Sequence, residues 1–458
     1  MPQVFNSSVN GSEGRGDFLR FNVSQGGSIS ANLGVGDDVV EVTGNSDVTQ
    51  VRLSFTSAQV GNDNAFDSNN MANQDGGLAV RLQAESGASD ALTGPVSRFD
   101  DEGISFIATG NIRFDVRDLV NGAQRGQNFE IVRLGTAAGD LFNEGSSSRN
   151  TYINAGMGND IVTGGVGDDF LVGGAGDDRL SGGNGADSFI GGAGADIIFG
   201  GGGNDTAIFN ISTDGADQTD LGGGRDVAVI SAAAGVTQVR LTFTSAEVGN
   251  GSSRDAGTLA NQDGGFAVRV QAEDGSGTAT GNVARFDDEI ITFVAGAGLT
   301  FDVRDLVSGV ERGDQFRVAT LGGSGADTLD FSDRSISYYV NAGMGNDRIT
   351  GSTVGDFLVG GAGDDRIDGR AGDDQFIGGG GADVFLFTGV TGDDRILDFM
   401  SGSDKIDLRE FDLDFADITT TQSGTNQIVS VDTNGDGTGD FTITLVNAAA
   451  PQQSDFLL

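Results

Sequence analysis

From residue 155 to residue 208 the chain repeats itself every nine residues without a gap: AGMGNDIVT, GGVGDDFLV, GGAGDDRLS, GGNGADSFI, GGAGADIIF, GGGGNDTAI. The sixth residue of each unit is an aspartate (Asp160, Asp169, Asp178, Asp187, Asp196 and Asp205) and the eighth is apolar (Val162, Leu171, Leu180, Phe189, Ile198 and Ala207). Few folds accept such a pattern. Glycine supplies backbone angles that other residues avoid, so the first six residues of a unit predict a tight turn. The last three predict a short strand whose middle side chain points inward. Two units then make one coil, coils stack as two parallel sheets, and the turns stack along each edge. Stacked turns place Asp carboxylates beside glycine carbonyls, an all-oxygen cage suited to a hard cation such as Ca2+.

A second block keeps the beat: AGMGNDRIT, GSTVGDFLV, GGAGDDRID, GRAGDDQFI and GGGGADVFL, residues 342 to 386. Both blocks resemble the G-G-x-G-x-D-x-U-x nonapeptide of the repeats-in-toxin (RTX) family, the calcium-binding parallel β-roll. The resemblance implies several Ca2+ ions, about seven or more, held along the turns. Their ligands would be the six aspartates above together with Asp347, Asp356, Asp365, Asp374 and Asp383, and Asp327 of a lone unit, GGSGADTLD. The backbone partners would be Gly165, Gly167, Gly174, Gly176, Gly183, Gly185, Gly192, Gly194, Gly361, Gly363, Gly379 and Gly381. Two turns depart from the pattern, at Ser352, Thr353 and Val354 and at Arg370, and are expected to bind weakly or bend differently. GTAAGDLFN, from Gly135, is degraded and expected to carry no ion. Calcium here serves as mortar for a scaffold, as a regulator of folding, or as both.

A longer period overlies the short one. VTQVRLSFTSAQVG at Val48 returns as VTQVRLTFTSAEVG at Val236, and FDVRDLV at Phe114 returns at Phe301, an offset of 187 to 188 residues. The chain is a tandem duplication. Outside the rolls, QVRLSF, GLAVRLQA, ISFIA, IRFDV and FEIVRL alternate with period two, which predicts an antiparallel β-sandwich or small barrel. The fold class is therefore all-β: two tandem β-sandwich-like modules, each followed by a parallel β-roll, with a C-terminal β cap. The expected division is an N-terminal β segment (1–46), sandwich module 1 (47–135), roll 1 (136–209), a connecting β segment (210–235), sandwich module 2 (236–321), roll 2 (322–387) and the cap with a secretion signal (388–458). Acidic clusters recur in both modules, RFDDE at Arg98 and at Arg285 and Asp75 and Asp263 in NQDGG. They are extra calcium ligands, a partner face or solvated loops.

Composition narrows the chemistry. A formal net charge of −41 repels nucleic acid and anionic membrane. It would strain a compact state unless cations neutralised it; the plainer alternative is a solvated acidic surface. No stretch approaches the ~18 apolar residues of a membrane span, so no membrane insertion is expected. The chain has no cysteine and no histidine. Zinc-protease, Ser–His and Cys–His chemistry are thereby excluded, and no catalytic residue is assigned. No cofactor besides Ca2+ is expected.

After Asp383, VFLFTGVTGDDRILDFMSGSDKIDLREFD resembles the C-terminal end of serralysin-type secreted proteins, where an antiparallel unit caps the roll. DTNGDGTGD offers Asp432, Asn434, Asp436 and Asp440 to an EF-hand-like loop, or forms a simple hairpin turn. The terminal QQSDFLL resembles the uncleaved signal of type I secretion, which implies that secretion machinery as a partner and an extracellular or cell-surface location. Two readings of function stand. One is a structural protein that folds on Ca2+ outside the cell and assembles with itself into a surface layer or filament. The other is a calcium-dependent adhesin or biofilm-matrix module recognising a cell-surface glycan. A polysaccharide-active enzyme is a distant third.

Overall fold

The computed structural model describes residues 9–10, 18–23, 30–32, 35–44, 48–57, 78–86, 91–118, 123–245, 266–273, 278–288, 290–305, 310–389 and 392–458. It divides into two compact units, residues 1–209 with 214–218, and residues 210–213 with 219–458. Among the described residues the regular elements are strands, joined by three-residue 3-10 turns such as Arg409–Phe411.

In the first unit the alternating segment Gln50–Ser57 is a strand with Val51 and Leu53 fully buried and Arg52 on the opposite face. It pairs antiparallel with Leu78–Ser86 and parallel with Arg113–Asp118. This corrects the wholly antiparallel expectation. Period-two alternation marks a strand and its buried face but carries no information on the direction of its neighbour. The module is also not set apart as a body of its own. The strand Ala91–Ala108 pairs first with Leu78–Ser86, then runs on to pair with Val35–Thr43 and Ile131–Leu134. Ile131–Leu134 in turn pairs with Thr151–Met157, the first long strand of the roll. One apolar core therefore joins Leu53, Leu82 and Val116 of the module to Val132, Tyr152 and Phe170.

From there the chain climbs in parallel steps of eighteen residues. Tyr152, Phe170 and Ser188 are in register on one sheet; Ile161, Arg179 and Ile197 are in register on the other. Many strands run longer than the three residues expected. Arg179–Asn184 extends through Gly182 and Gly183, because the glycine backbone keeps pairing before it turns. The eighth-position side chains fill the space between the sheets, with Leu171, Leu180, Phe189 and Ile198 fully buried.

The second unit repeats the plan. Gln238–Ser245 lies between antiparallel Phe266–Glu273 and parallel Thr300–Asp305. A buried carboxylate braces each half on its polar face: Arg52 and Arg117 reach Asp115 at 3.1 and 3.0 Å, and Arg304 reaches Asp302 at 3.1 Å. The second roll stacks Tyr339, Phe357 and Gln375 on one sheet and Arg348, Arg366 and Val384 on the other. The expected cap is there. Ile418–Ser423, Asn426–Val431 and Phe441–Leu445 form an antiparallel meander whose last strand adds to Asp393–Ile396. DTNGDGTGD spans the loop between Val431 and Phe441, which pair directly. Ile443, at the twelfth loop position where an EF-hand needs its glutamate, is fully buried and pairs with Val429. The hairpin, not the EF-hand, is what forms.

Candidate metal centre

The sixth-position aspartates are buried in both rolls: Asp160, Asp169, Asp178, Asp187, Asp196 and Asp205 are 2% exposed or less, and Asp347, Asp356, Asp365, Asp374 and Asp383 are 3% or less. Asp327 is only half-buried. Each carboxylate uses one oxygen to staple neighbouring coils. The backbone N–H of Asp160 donates to Asp178 Oδ1 at 2.8 Å, that of Asp178 to Asp196 Oδ1 at 2.9 Å, and that of Asp169 to Asp187 Oδ1 at 2.8 Å. In the second roll the N–H of Asp347 donates to Asp365 Oδ1 at 2.8 Å and that of Asp356 to Asp374 Oδ1 at 2.8 Å.

In several of these carboxylates the other oxygen is left without a donor. Oδ2 of Asp160, Asp178, Asp187, Asp196, Asp347 and Asp365 is buried and has no hydrogen-bond partner. A buried carboxylate oxygen without a donor is costly. A glycine carbonyl of the next coil comes close to it. A methyl group on Gly173 would strike Asp178 Oδ2 and lie 2.7 Å from the Gly191 carbonyl oxygen; on Gly360 it would strike Asp365 Oδ2 and lie 2.7 Å from the Gly378 carbonyl. Carboxylate and carbonyl oxygens from successive coils thus meet at a place only glycine can line. Burial, reinforced by neighbouring carboxylates, pushes the carboxyls of Asp160, Asp178 and Asp196 up to about 7, Asp187 to about 8 and Asp374 to about 9.

This donor set fits a hard divalent cation. It offers anionic and carbonyl oxygen, with no nitrogen or sulfur from histidine or cysteine anywhere in the chain. Among the described residues no three acidic side chains converge on one point, so a bound ion would draw the rest of its oxygens from the glycine backbone. Gly174, Gly176, Gly183, Gly185, Gly192, Gly194, Gly361, Gly363, Gly379 and Gly381 all carry left-handed backbone in these turns, as a carbonyl-lined turn requires. Gly165 and Gly167 do not.

Other parts of the site escaped the sequence reading. The fifth-position residues form a second ladder running the opposite way: Asn159 Oδ1 accepts the Asp177 N–H at 3.1 Å, and Asp177 Oδ1 accepts the Ala195 N–H at 2.9 Å. Its signal was the Asn or Asp at position five of seven of the eleven units in the two blocks. Asp217, which no nonapeptide contains, is buried and its Oδ1 accepts the Asp196 N–H at 3.0 Å. Asp38 and Asp226, one duplication apart, are buried as well. Of the module clusters, Asp75 and Asp263 lie outside the described residues, as do the side chains of Asp100, Asp101, Asp287 and Asp288.

A family model described as the RTX calcium-binding nonapeptide repeat matches residues 148–171, 172–207 and 350–385. Among solved structures, the AlgE6R3 subunit of the mannuronan C5-epimerase of Azotobacter vinelandii aligns at 27% identity, covering 30% of this chain and 80% of that one, with a TM-score of 0.19. The extracellular lipase LipA of Serratia marcescens aligns at 17% identity, covering 78% of this chain and 45% of that one, with a TM-score of 0.17. No curated protein matches the chain. Stacked turns, buried carboxylates and the matching repeat model agree: this chain carries RTX calcium-binding nonapeptide repeats, folded as parallel β-roll.

Proposed function

We propose that this is an extracellular structural protein that orders on Ca2+ and then assembles with copies of itself. The observation that supports the first step is the row of buried Asp Oδ2 atoms without donors, present in both halves of the chain. Calcium is scarce in cytosol and about millimolar outside cells, so turns of modest affinity fill only after export. Metal binding then supplies folding free energy. Among the described residues no helix is long and apolar enough to cross a membrane.

Assembly follows from the duplication. A surface used by one half is present in similar form on the other, and a self-contact that does not close yields an open array. Bound Ca2+ lowers the repulsion inherent in a net charge of −41. One titration tests both steps. Calcium is added to chelated protein while circular dichroism and light scattering are recorded, with electron microscopy at each plateau. The expected course is β-structure first, then scattering with sheets or filaments, both reversed by chelator. A folded, calcium-loaded chain that stays monomeric at high concentration would defeat the array and favour the glycan-binding module.

A further inference from the structure

The Oδ2 atoms sort the turns into two kinds. In the turns ending at Asp140, Asp169, Asp327 and Asp356, the backbone N–H four residues earlier closes onto Oδ2. The donors are Thr136 at 2.7 Å, Gly165 at 2.6 Å, Gly323 at 2.8 Å and Ser352 at 2.6 Å. Hydroxyls add to two of them: Thr136 Oγ1 reaches Asp140 Oδ2 at 3.0 Å, and Ser352 Oγ reaches Asp356 Oδ1 at 3.2 Å. Each of these aspartates is the first carboxylate of its ladder. Asp140 and Asp327 donate their N–H groups to Asp160 and Asp347; Asp169 and Asp356 donate theirs to Asp187 and Asp374. The same two places are chosen in both halves, 187 residues apart.

The backbone divides in the same way. In the turn ending at Asp178, Gly174 and Gly176 take φ of 115° and 128°; Gly165 and Gly167, at the same places in the turn ending at Asp169, stay out of the left-handed region. A closed turn therefore makes no left-handed demand at the two positions where an open one needs glycine. This accounts for Thr136, Ala138, Ser352 and Val354 standing where the nonapeptide prescribes glycine.

Asp217 is the converse. It lies 21 residues past Asp196, outside the nine-residue consensus and the matched repeats. Yet it is 1% exposed, its Oδ1 accepts the Asp196 N–H, and its Oδ2 is buried without a partner. A methyl group on Gly215 would strike the Gly194 carbonyl, just as one on Gly194 would strike that of Gly176. The stacking of the roll continues to this point.

We propose that cation occupancy follows the state of Oδ2 rather than the consensus: Asp217 holds a Ca2+ that the nonapeptide pattern omits, and the turns of Asp140, Asp169, Asp327 and Asp356 hold none. The inference rests on the calcium reading of the rolls. An amide donor satisfies the anionic oxygen and takes the space an ion would fill; an orphaned buried oxygen keeps its demand for a positive partner. Each ladder then begins with a turn that closes without metal, on which the calcium-dependent turns stack.

Calcium bound per full-length chain at saturation is counted by atomic emission after equilibrium dialysis, for wild type and for Asp178→Asn, Asp169→Asn and Asp217→Asn. Asp178→Asn and Asp217→Asn are each expected to bind one ion fewer than wild type, and Asp169→Asn the same number. An unchanged count in Asp178→Asn would sink the calcium reading itself. With Asp178→Asn one ion lower, an unchanged Asp217→Asn or a lowered Asp169→Asn overturns the present inference alone. Anomalous scattering from wild-type crystals grown in calcium checks the same point without any substitution. Density beside Asp217 and none beside Asp169 supports the inference; density beside Asp169, or none beside Asp217 while Asp178 shows it, overturns it.

Discussion

Asp178 and Asp196 are joined across one coil: the Asp178 backbone N–H donates to Asp196 Oδ1 at 2.9 Å, while Oδ2 of both carboxylates is buried with no donor. One oxygen holds the fold, and in the proposed calcium reading the other is the cation's ligand. Asp178→Asn separates the two roles, because the amide keeps an oxygen to accept the Asp160 N–H and loses the charge. The calcium midpoint for β-structure is expected to rise by about threefold or more. In chelator the variant should be no less ordered than wild type, since one buried charge is gone. Circular dichroism titrations of the two chains check both halves of this statement.

Without cations, the rolls should prefer acid. Burial raises the carboxyls of Asp160, Asp178, Asp187 and Asp196 to between about 7 and 8, from an ordinary value of 3.8. A raised folded-state carboxyl binds protons more tightly than the unfolded chain does. The stabilisation is present below about pH 4 and is lost as pH rises through 7 to 8. Chelated protein is therefore expected to show more β-structure at pH 5 than at pH 8. Saturating calcium should flatten or reverse that slope, because the ion binds the deprotonated carboxylates. Circular dichroism at the two pH values, with and without calcium, gives all four readings.

Arg370 is one of four described residues other than glycine with positive φ, at 71°, and it stands where neighbouring turns have glycine. Holding an L-residue there costs about 1–2 kcal/mol, offset in part by the larger unfolded-state freedom of glycine. Arg370→Gly is expected to stabilise the calcium-loaded protein by about 0.5–1 kcal/mol. Thermal melts at saturating calcium should show a small rise in Tm; a fall would mean that the arginine side chain contributes more than its backbone costs.

Asp455 ties the end of the chain to the roll. It is fully buried and accepts from Ser401 Oγ at 2.6 Å, the Gly402 N–H at 3.1 Å and the Gln452 N–H at 2.9 Å, with Lys405, the only lysine, at 3.7 Å. Phe456 and Leu457 then pair with Ile406 and Asp407. The residues that resemble an export signal are thus the last strand of the roll. Asp455→Ala is expected to lose about 1–3 kcal/mol, since it removes three hydrogen bonds and an ion pair made by partly buried donors. Hydrogen exchange should rise first in residues 400–408 and 453–458.

The rolls were legible because their repeat is short and each position has one physical role. Gly174 and Gly176 must turn left-handed, Leu180 must point inward and the Asp178 carboxylate must reach the preceding coil, so nine residues state the whole geometry. The modules were only half legible. Val51 and Leu53 announced a buried face, but nothing local says that Arg113–Asp118 returns parallel to them. Asp217 was missed because 21 residues, not eighteen, separate it from Asp196, which breaks the beat while the stacking continues. The closed turn at Asp169 was hidden for the opposite reason. Its letters, GGVGDD, fit the consensus, and the Gly165 N–H that closes onto Oδ2 leaves no mark in them.

The most direct measurement is amide hydrogen exchange of the full chain with and without calcium, read at the N–H groups of Asp160, Asp178, Asp187 and Asp365. Those amides donate across coils to Oδ1 of Asp178, Asp196, Asp205 and Asp383, the carboxylates of the proposed calcium turns. They are expected to be strongly protected in calcium and to exchange at nearly unfolded rates in chelator at pH 7.5. Equal protection in both conditions would show that the rolls stand without metal, and would contradict calcium-driven folding.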